Sequence, residues 1–121
     1  MAQTHARSGQ VVSILPLGDG LSGSRTTAIL KAEQLEVVRI VLLAGKQMQE
    51  HSAPGEITVH CLEGRIALRT REARHVLEAG DFIHLRRDDP HALEAIDDSS
   101  ALLTLCIVKP SDHGADEPHK C

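Results

Sequence analysis

The stretch EHSAPGEITVHCLEG, residues 50–64, places His51 ahead of a Pro-Gly pair and follows the pair with an apolar run that ends at a glycine. Proline next to glycine is a strong turn signal. The run from Ile57 to Cys61 alternates apolar and polar residues with a period of two, which is typical of a strand with one dry face. The stretch therefore predicts a strand behind a turn. It leaves three roles open for His51: a metal ligand, the remnant of a metal site, or an ordinary surface residue.

Similar segments recur along the chain as short apolar runs rich in Val, Ile, Leu and Thr, with glycines such as Gly45, Gly64 and Gly80 between them. About nine short strands at a spacing of roughly 8–12 residues predict an all-β fold, an antiparallel sandwich or barrel. A helix over residues 27–43 is the main alternative, because Ala, Leu, Lys, Glu and Gln favour helices. The near-continuous apolar run in that window instead favours a strand covered on both faces.

Length and composition indicate a single domain. The chain has 121 residues, a formal net charge of −4, no Trp or Tyr and one Phe. It lacks both the positive charge and the stacking aromatics that nucleic-acid binding uses, so we expect no nucleic-acid partner. No apolar run approaches the ~20 residues of a membrane span, and the N-terminus lacks the apolar core of a signal peptide, so we expect a cytoplasmic protein without a membrane partner. We expect a disordered segment at 1–10, the β-domain at 11–109 and a flexible tail at 110–121.

A second motif completes the pattern: it begins at Gly80 and reaches His91 after ten intervening residues. The first motif runs from Gly45 through His51 in a similar way. Together the two motifs resemble those of the cupin family, and the resemblance covers roughly residues 26 to 108. It implies a single-domain cupin-type β-barrel or jelly roll, the double-stranded β-helix of small bacterial cupins, with a ligand pocket inside the barrel.

Many cupins hold a divalent ion with three histidines and one glutamate, and the resemblance places two of these positions on His51 and His91. The second histidine of the first motif is replaced by Ala53, and the glutamate position falls on Ile57. Glu56 stands one residue early. The resemblance thus implies an incomplete metal motif, in which His51 and His91 hold one divalent transition metal (Fe, Mn, Ni or Zn) or no cofactor is bound.

The direction of the side chains decides whether further ligands join this pair. Neighbours on a strand point to opposite faces, so an inward Ile57 also turns Cys61 inward and turns Glu56 and His60 away. A bulge or a lengthened turn at residues 54–55 would reverse that phase. The candidate ligand set would then be His51, His60, His91 and Glu56.

One more histidine is a candidate for the pocket. His84 lies in the otherwise apolar segment FIHL, either as a pocket residue or as a partly buried histidine with a hydrogen-bond partner. The predicted pocket-lining residues are His51, Ala53, Ile57, Cys61, His84 and His91.

Two functions remain open from the sequence, and so does the question whether the protein is an enzyme. In the first, a metal at the histidine pair acts on a small molecule, because an open coordination position serves Lewis-acid catalysis and oxygen activation. In the second, the barrel is a metal-free module that binds or senses a small, largely apolar ligand, with the two histidines as polar anchors. We also expect a homodimer formed partly by the N-terminal strands, with Arg39 at or near the contact. The alternative for Arg39 is a guanidinium aimed into the pocket.

Overall fold

The computed structural model describes residues 5–108. The tail expected at 110–121 and the first four residues of the segment expected to be disordered lie outside the described residues. Residues 5–10 form no helix or strand, but the backbone N–H of Ala6 donates to the carbonyl oxygen of Ile29 at 2.8 Å. The described part of the N-terminus is therefore bonded to the domain.

Nine strands and one short 3₁₀ helix (Gly18–Gly23) make up the regular structure within residues 5–108. The strands are β1 (Thr27–Lys31), β2 (Leu35–Leu42), β3 (Gln47–His51), β4 (Ile57–Glu63), β5 (Arg65–Arg69), β6 (Arg74–Glu78), β7 (Phe82–Leu85), β8 (His91–Ala95) and β9 (Ser99–Cys106). One sheet has five strands in the order β1-β2-β9-β4-β7, and the other has four in the order β3-β8-β5-β6. All the pairings are antiparallel, so the predicted all-β jelly roll is confirmed. In the part of the chain that is described, no helix is long and apolar enough to cross a membrane.

The window at 27–43 forms β1 and β2 rather than a helix. Adjacent side chains of β2 point to opposite faces of its sheet, and both faces are covered: Ile40 is 2% exposed and Arg39 is 9% exposed. A strand that is covered on both sides needs no polar face, which explains the near-continuous apolar run.

The hydrophobic core lies between the two sheets and is built from alternate residues of their strands. Ile40 and Val59 of the five-stranded sheet pack in one cluster with Ile66 and Leu68 of the four-stranded sheet, and all four are buried. Burying one such side chain contributes about 1.5–3 kcal/mol of hydrophobic free energy. Because this cluster fills the middle of the sandwich, polar side chains gather at its ends and on its outer faces.

An N-terminal strap, residues 11–18, crosses the outer face of the five-stranded sheet. The buried Arg39 donates from Nη1 to the carbonyl oxygen of Leu15 at 3.1 Å and from Nη2 to that of Ser13 at 3.4 Å. The guanidinium therefore anchors the chain's own strap and does not point into a pocket between the sheets.

A carboxylate holds the end of the strap. Glu63 accepts hydrogen bonds from the backbone N–H groups of Leu17 at 2.8 Å and Gly18 at 3.0 Å, and from the hydroxyl of Ser100. Burial raises the pKa of Glu63, but these hydrogen bonds and the charge of Arg39 outweigh that effect and hold the pKa below its ordinary value. The carboxylate is therefore charged at neutral pH and partly neutralises the guanidinium.

Candidate functional site

His51 and His91, which are far apart in the sequence, meet where β3 pairs with β8. Their Cα atoms are register partners, and their ring centroids lie 4.5 Å apart with the ring planes at 58°. His91 is only 4% exposed, whereas His51 is exposed to solvent. We call these two residues the histidine pair: the ring of His91 is buried and that of His51 is open to solvent.

An irregularity in β3 gives His51 its direction. Met48 pairs with Leu93 and His51 pairs with His91, so β3 advances by three residues while β8 advances by two. In a regular strand residues three apart point to opposite faces, and Met48 packs against the core. The extra residue is a β-bulge, and it turns His51 back to the face that carries Met48 and His91.

Both imidazoles are oriented by the backbone two residues before them. His51 Nδ1 lies 3.0 Å from the carbonyl oxygen of Gln49, and His91 Nδ1 lies 3.0 Å from that of Asp89. A carbonyl oxygen can only accept, so each Nδ1 carries the hydrogen and donates it. In the neutral rings both Nε2 atoms are then bare acceptors. This is the state in which a histidine binds a metal ion or a hydrogen-bond donor.

Ile57 of β4, which occupies the glutamate position of the family motif, points inward but carries no carboxylate. Ile57 is 3% exposed and Cys61 is fully buried, and both pack in the core. His60 lies on the outer face, with its ring centroid 6.2 Å from that of Phe82, and Glu56 is exposed. Because Ile57 points inward and the pairing of β4 with β9 is regular from Ile57 to Cys61, the turn at residues 54–55 does not bring Glu56 or His60 to the interior. The structure does not bring together the set His51, His60, His91 and Glu56.

His84 lies on the same outer face as His60, away from the core. It is exposed, pairs with Thr58 in the ladder of β4 and β7, and its Nε2 lies 2.6 Å from Oε1 of Glu56. The structure therefore places His84 with Glu56 and separates both from the histidine pair.

A cavity of about 310 Å³ lies beside β7 and is bordered by His84. Ile83 and Leu85 give the cavity apolar walls, and Asp89 contributes to its polar rim. The backbone carbonyl of Asp89 also accepts the hydrogen bond from His91, so the cavity approaches the histidine pair, although neither histidine lines it.

Ala53 takes part in the site through its backbone. Its carbonyl oxygen accepts a hydrogen bond from the N–H of Asp88 at 2.8 Å, which joins the loop after β3 to the loop before β8. Asp88 has a positive φ of 65°, a conformation that Asp adopts more readily than most residues. These loops flank the two histidines, so the bond helps to hold the pair together. Sequence reasoning missed Asp88 as a positioning residue, although an Asp in a turn before a proline is a signal for such a conformation.

Cys61 contributes a neutral thiol to the core. It is free and fully buried, and its Sγ lies 3.5 Å from the carbonyl oxygen of Glu63. Burial raises the pKa of the Cys61 thiol, so the thiol keeps its proton at neutral pH. The thiolate is the form that binds metals, so Cys61 adds no donor to the histidine pair.

The donors are too few for the metal site that the sequence resemblance implies. Within residues 5–108 no group of three or more His, Cys, Asp or Glu side chains could hold an ion. Metal sites with one open position normally use three protein ligands. Two imidazoles fit an ion only if a bound molecule supplies further donors, so these residues do not fit a resident metal of the family's usual kind.

The cupin domain model matches residues 38–108, so the chain belongs to the cupin domain family. Among solved structures it is similar to a conserved protein of unknown function from Streptococcus pyogenes, with 19% identity, a TM-score of 0.68, and coverage of 90% of this chain and 99% of that chain. It is also similar to an RmlC-like cupin from Desulfovibrio desulfuricans, with 21% identity, a TM-score of 0.62, and coverage of 84% and 97%.

Part of a larger enzyme has the same fold. A variant of the salicylate 1,2-dioxygenase from Pseudoaminobacter salicylatoxidans, in complex with gentisate, matches with 21% identity and a TM-score of 0.57 over 60% of this chain and 20% of the enzyme. Identities at this level show a shared fold alone. A search of the curated proteins found no match.

Proposed function

We propose that this chain is a small-ligand-binding cupin, a binding or sensing module in which the histidine pair anchors the ligand and no bond is made or broken. The main support is the pair of bare Nε2 atoms on rings whose centroids lie 4.5 Å apart. Ala53 and Ile57, which replace the other two ligands of the family motif, pack with the core and make the surroundings apolar. A mostly apolar site with a few polar anchors is the usual composition of a small-molecule pocket.

Hydrogen bonding by the neutral rings indicates the ligand class. Each Nδ1–H is committed to a backbone carbonyl, so each ring offers only an acceptor at Nε2. A ligand with two neighbouring hydroxyl groups would satisfy both acceptors. The adjacent cavity of about 310 Å³ is at the lower end of the range for small-molecule pockets, which is about 300–1,000 Å³. We therefore expect a small hydroxylated molecule with an apolar body.

A titration of metal-free, untagged protein with 1,2-dihydroxybenzene tests this proposal. We expect the Nε2 signals of His51 and His91 in ¹⁵N NMR of the histidine rings to shift as the hydroxyl groups bind. The control ligand is 1,2-dimethoxybenzene, which has the same ring but no hydrogen to donate, and it should leave those signals in place. His60, which lies on the outer face of β4 and does not line the cavity, is the internal control. Equal shifts with both compounds, or no shift with either, would contradict the proposal.

A metal-assisted function is the second candidate, and the orientation of the two rings favours it. Histidines that bind metals commonly donate Nδ1–H to a carbonyl and present Nε2 to the ion, as both rings are placed to do here. One divalent transition ion would be held by His51 and His91, and it would supply Lewis acidity to a molecule that completes its coordination.

Metal stoichiometry separates the two candidates. The untagged protein is reconstituted in turn with Fe, Mn, Ni and Zn, dialysed, and analysed for metal content. The binding module predicts far less than one ion per chain. A value near one that is lost in His51→Gln and His91→Gln, but kept in His84→Gln, would replace the binding proposal with the metal-assisted function.

We also propose that two copies of the chain associate through the strap. Val11 and Leu15 are 94% and 73% exposed, although Arg39 fixes this segment to the sheet. Several exposed large apolar side chains on one short segment are a feature of interaction surfaces. Light scattering at micromolar concentration should give twice the monomer mass for the unmodified protein and the monomer mass for Val11→Asp with Leu15→Asp. The control is Val76→Asp, at an exposed position on the other sheet. A monomer mass for the unmodified protein would contradict association.

A further inference from the structure

A shallow groove of about 200 Å³ lies on the outer face of the four-stranded sheet, the face opposite to the core. Ala67 and Ala92 form its floor, and they are 4% and 8% exposed. Both alternate along their strands with core residues such as Leu68 and Leu93, so they face away from the interior. The groove is therefore separate from the cavity beside the histidine pair.

One wall of the groove is positively charged. Arg69 and Arg74 are direct partners across β5 and β6, and both line the groove. Like charges directly opposite each other destabilise a strand pair. Neither guanidinium forms an ion pair with any residue between 5 and 108. An anionic group from outside the chain would relieve the repulsion between them.

The other wall carries two carboxylates. Glu94 and Glu50 both line the groove, Glu94 on β8 and Glu50 in the bulge of β3. Glu50 stands two strands away from Arg69, about 9–10 Å across the sheet, because β3 and β5 flank β8, whereas Glu94 lies on β8 itself. Neither carboxylate forms an ion pair with another side chain within the described residues. The groove therefore presents separated charges of opposite sign.

We propose that this groove binds a small zwitterion, with its carboxylate on Arg69 and Arg74 and its ammonium group on the wall formed by Glu94 and Glu50. Arginine matches a carboxylate with two parallel hydrogen bonds, and a carboxylate accepts from an ammonium group. The volume of about 200 Å³ lies below the range for drug-sized ligands, which begins at about 300 Å³. Because Glu50 lies at least two strands away from the two arginines, the two charges of the ligand are separated by several bonds, as in an ω-amino acid.

Three probes of the same carbon length test the proposal on the full chain. The probes are 4-aminobutanoate, which carries both charges, butanoate, which carries only the carboxylate, and butylammonium, which carries only the ammonium group. We expect 4-aminobutanoate to shift the backbone amide signals of Ala67 and Ala92 in ¹⁵N NMR at concentrations where the other two probes do not. Equal shifts with butanoate, or no shifts with 4-aminobutanoate, would overturn the proposal.

Matched variants locate the binding. Arg69→Gln and Arg74→Gln should each weaken binding of 4-aminobutanoate by about ten- to a hundredfold, which corresponds to the loss of a charge-assisted hydrogen bond. Arg65→Gln is the control, because Arg65 lies on the same face of β5 but is already paired with Asp97 at 2.7 Å. His51→Gln should leave binding unchanged, which separates this groove from the proposed ligand site. Weakening by Arg65→Gln or His51→Gln as large as that by Arg69→Gln would overturn the assignment.

Discussion

Arg39 donates a hydrogen bond from Nη1 to the carbonyl oxygen of Leu15 at 3.1 Å, across 24 positions of the sequence. The bond joins β2 to the N-terminal strap, and the charge of Arg39 also acts on Glu63, whose carboxylate holds the end of the strap. The strap precedes residue 38, where the match to the family model begins. It is nevertheless bonded into the domain by a buried cation and a partly buried anion.

Replacing Arg39 with Met should loosen the strap and lower the free energy of unfolding. The variant keeps the apolar stem but removes the donor for the carbonyl oxygens of Ser13 and Leu15 and the positive charge near Glu63, and each lost hydrogen bond contributes about 0.5–1.5 kcal/mol. Urea denaturation measures the loss, and hydrogen exchange of the strap amides should become faster. The control is Arg65→Met: its ion pair with Asp97 is solvent-exposed, so this variant should lose much less stability. An equal loss in the two variants would contradict the anchoring role.

Glu63 should make stability depend on acid pH. Its pKa lies below the ordinary value of 4.5, so the folded protein binds this proton less tightly than the unfolded chain does. The stabilisation is therefore present above that ordinary value and is lost as the pH falls through the lowered pKa. Urea denaturation should show the unmodified protein to be more stable than Glu63→Gln at neutral pH, with a difference that shrinks in acid. A difference that does not change with pH would show that the charge plays no part.

Gly64→Ala should destabilise the protein more than Gly45→Ala, although both glycines have a positive φ, 79° and 85°. That conformation costs a residue with a Cβ about 1–2 kcal/mol at either position. At Gly64 the added Cβ would also overlap the carbonyl oxygen of Asp98 and the hydroxyl of Ser99, whereas at Gly45 it would meet nothing within 4 Å. Overpacking of this kind adds about 1–3 kcal/mol. Thermal unfolding compares the two variants, and equal midpoints would contradict the packing argument.

Restoring the two replaced ligands should produce a metal site. Ala53→His with Ile57→Glu provides a second histidine and a carboxylate at the positions of the family motif. Ile57 is 3% exposed, so an unpaired carboxylate there costs about 3–5 kcal/mol. Without metal the double variant should unfold at a lower temperature than the unmodified protein. With Ni²⁺ it should regain stability and retain close to one ion per chain.

The control for that experiment leaves position 57 unchanged. Ala53→His alone adds the second histidine but no carboxylate. This variant should retain Ni²⁺ more weakly than the double variant. If both variants retain the same amount, the inward direction of position 57 is not what limits metal binding.

The fold could be predicted because the alternation of apolar and polar residues along a strand shows which side chains are buried. In β4, Ile57 and Cys61 alternate with Thr58 and His60, and only one register places every apolar side chain in the core. The same reasoning applied to the other apolar runs, together with the two histidine motifs, predicted a cupin jelly roll, and the family match confirms it.

The geometry of the site could not be predicted in this way. The segment QMQEH, residues 47–51, contains no glycine or proline to mark the bulge, and the sequence suggested residues 54–55 as the place where a phase change would matter. The bulge arises from the pairing of β3 with β8, which is a tertiary contact. The orientation of the rings could not be predicted from the sequence either. The acceptors at Gln49 and Asp89 are backbone carbonyls, which every residue carries.

If β3 kept all its residues but paired regularly with β8, His51 would stand three positions after Met48 without a bulge and would point to the outside of the barrel. Both histidines would still be present, and an alignment that counts them would score such a protein as intact. Loss of the bulge is therefore a route by which descendants of such a barrel lose their chemistry with every diagnostic residue unchanged.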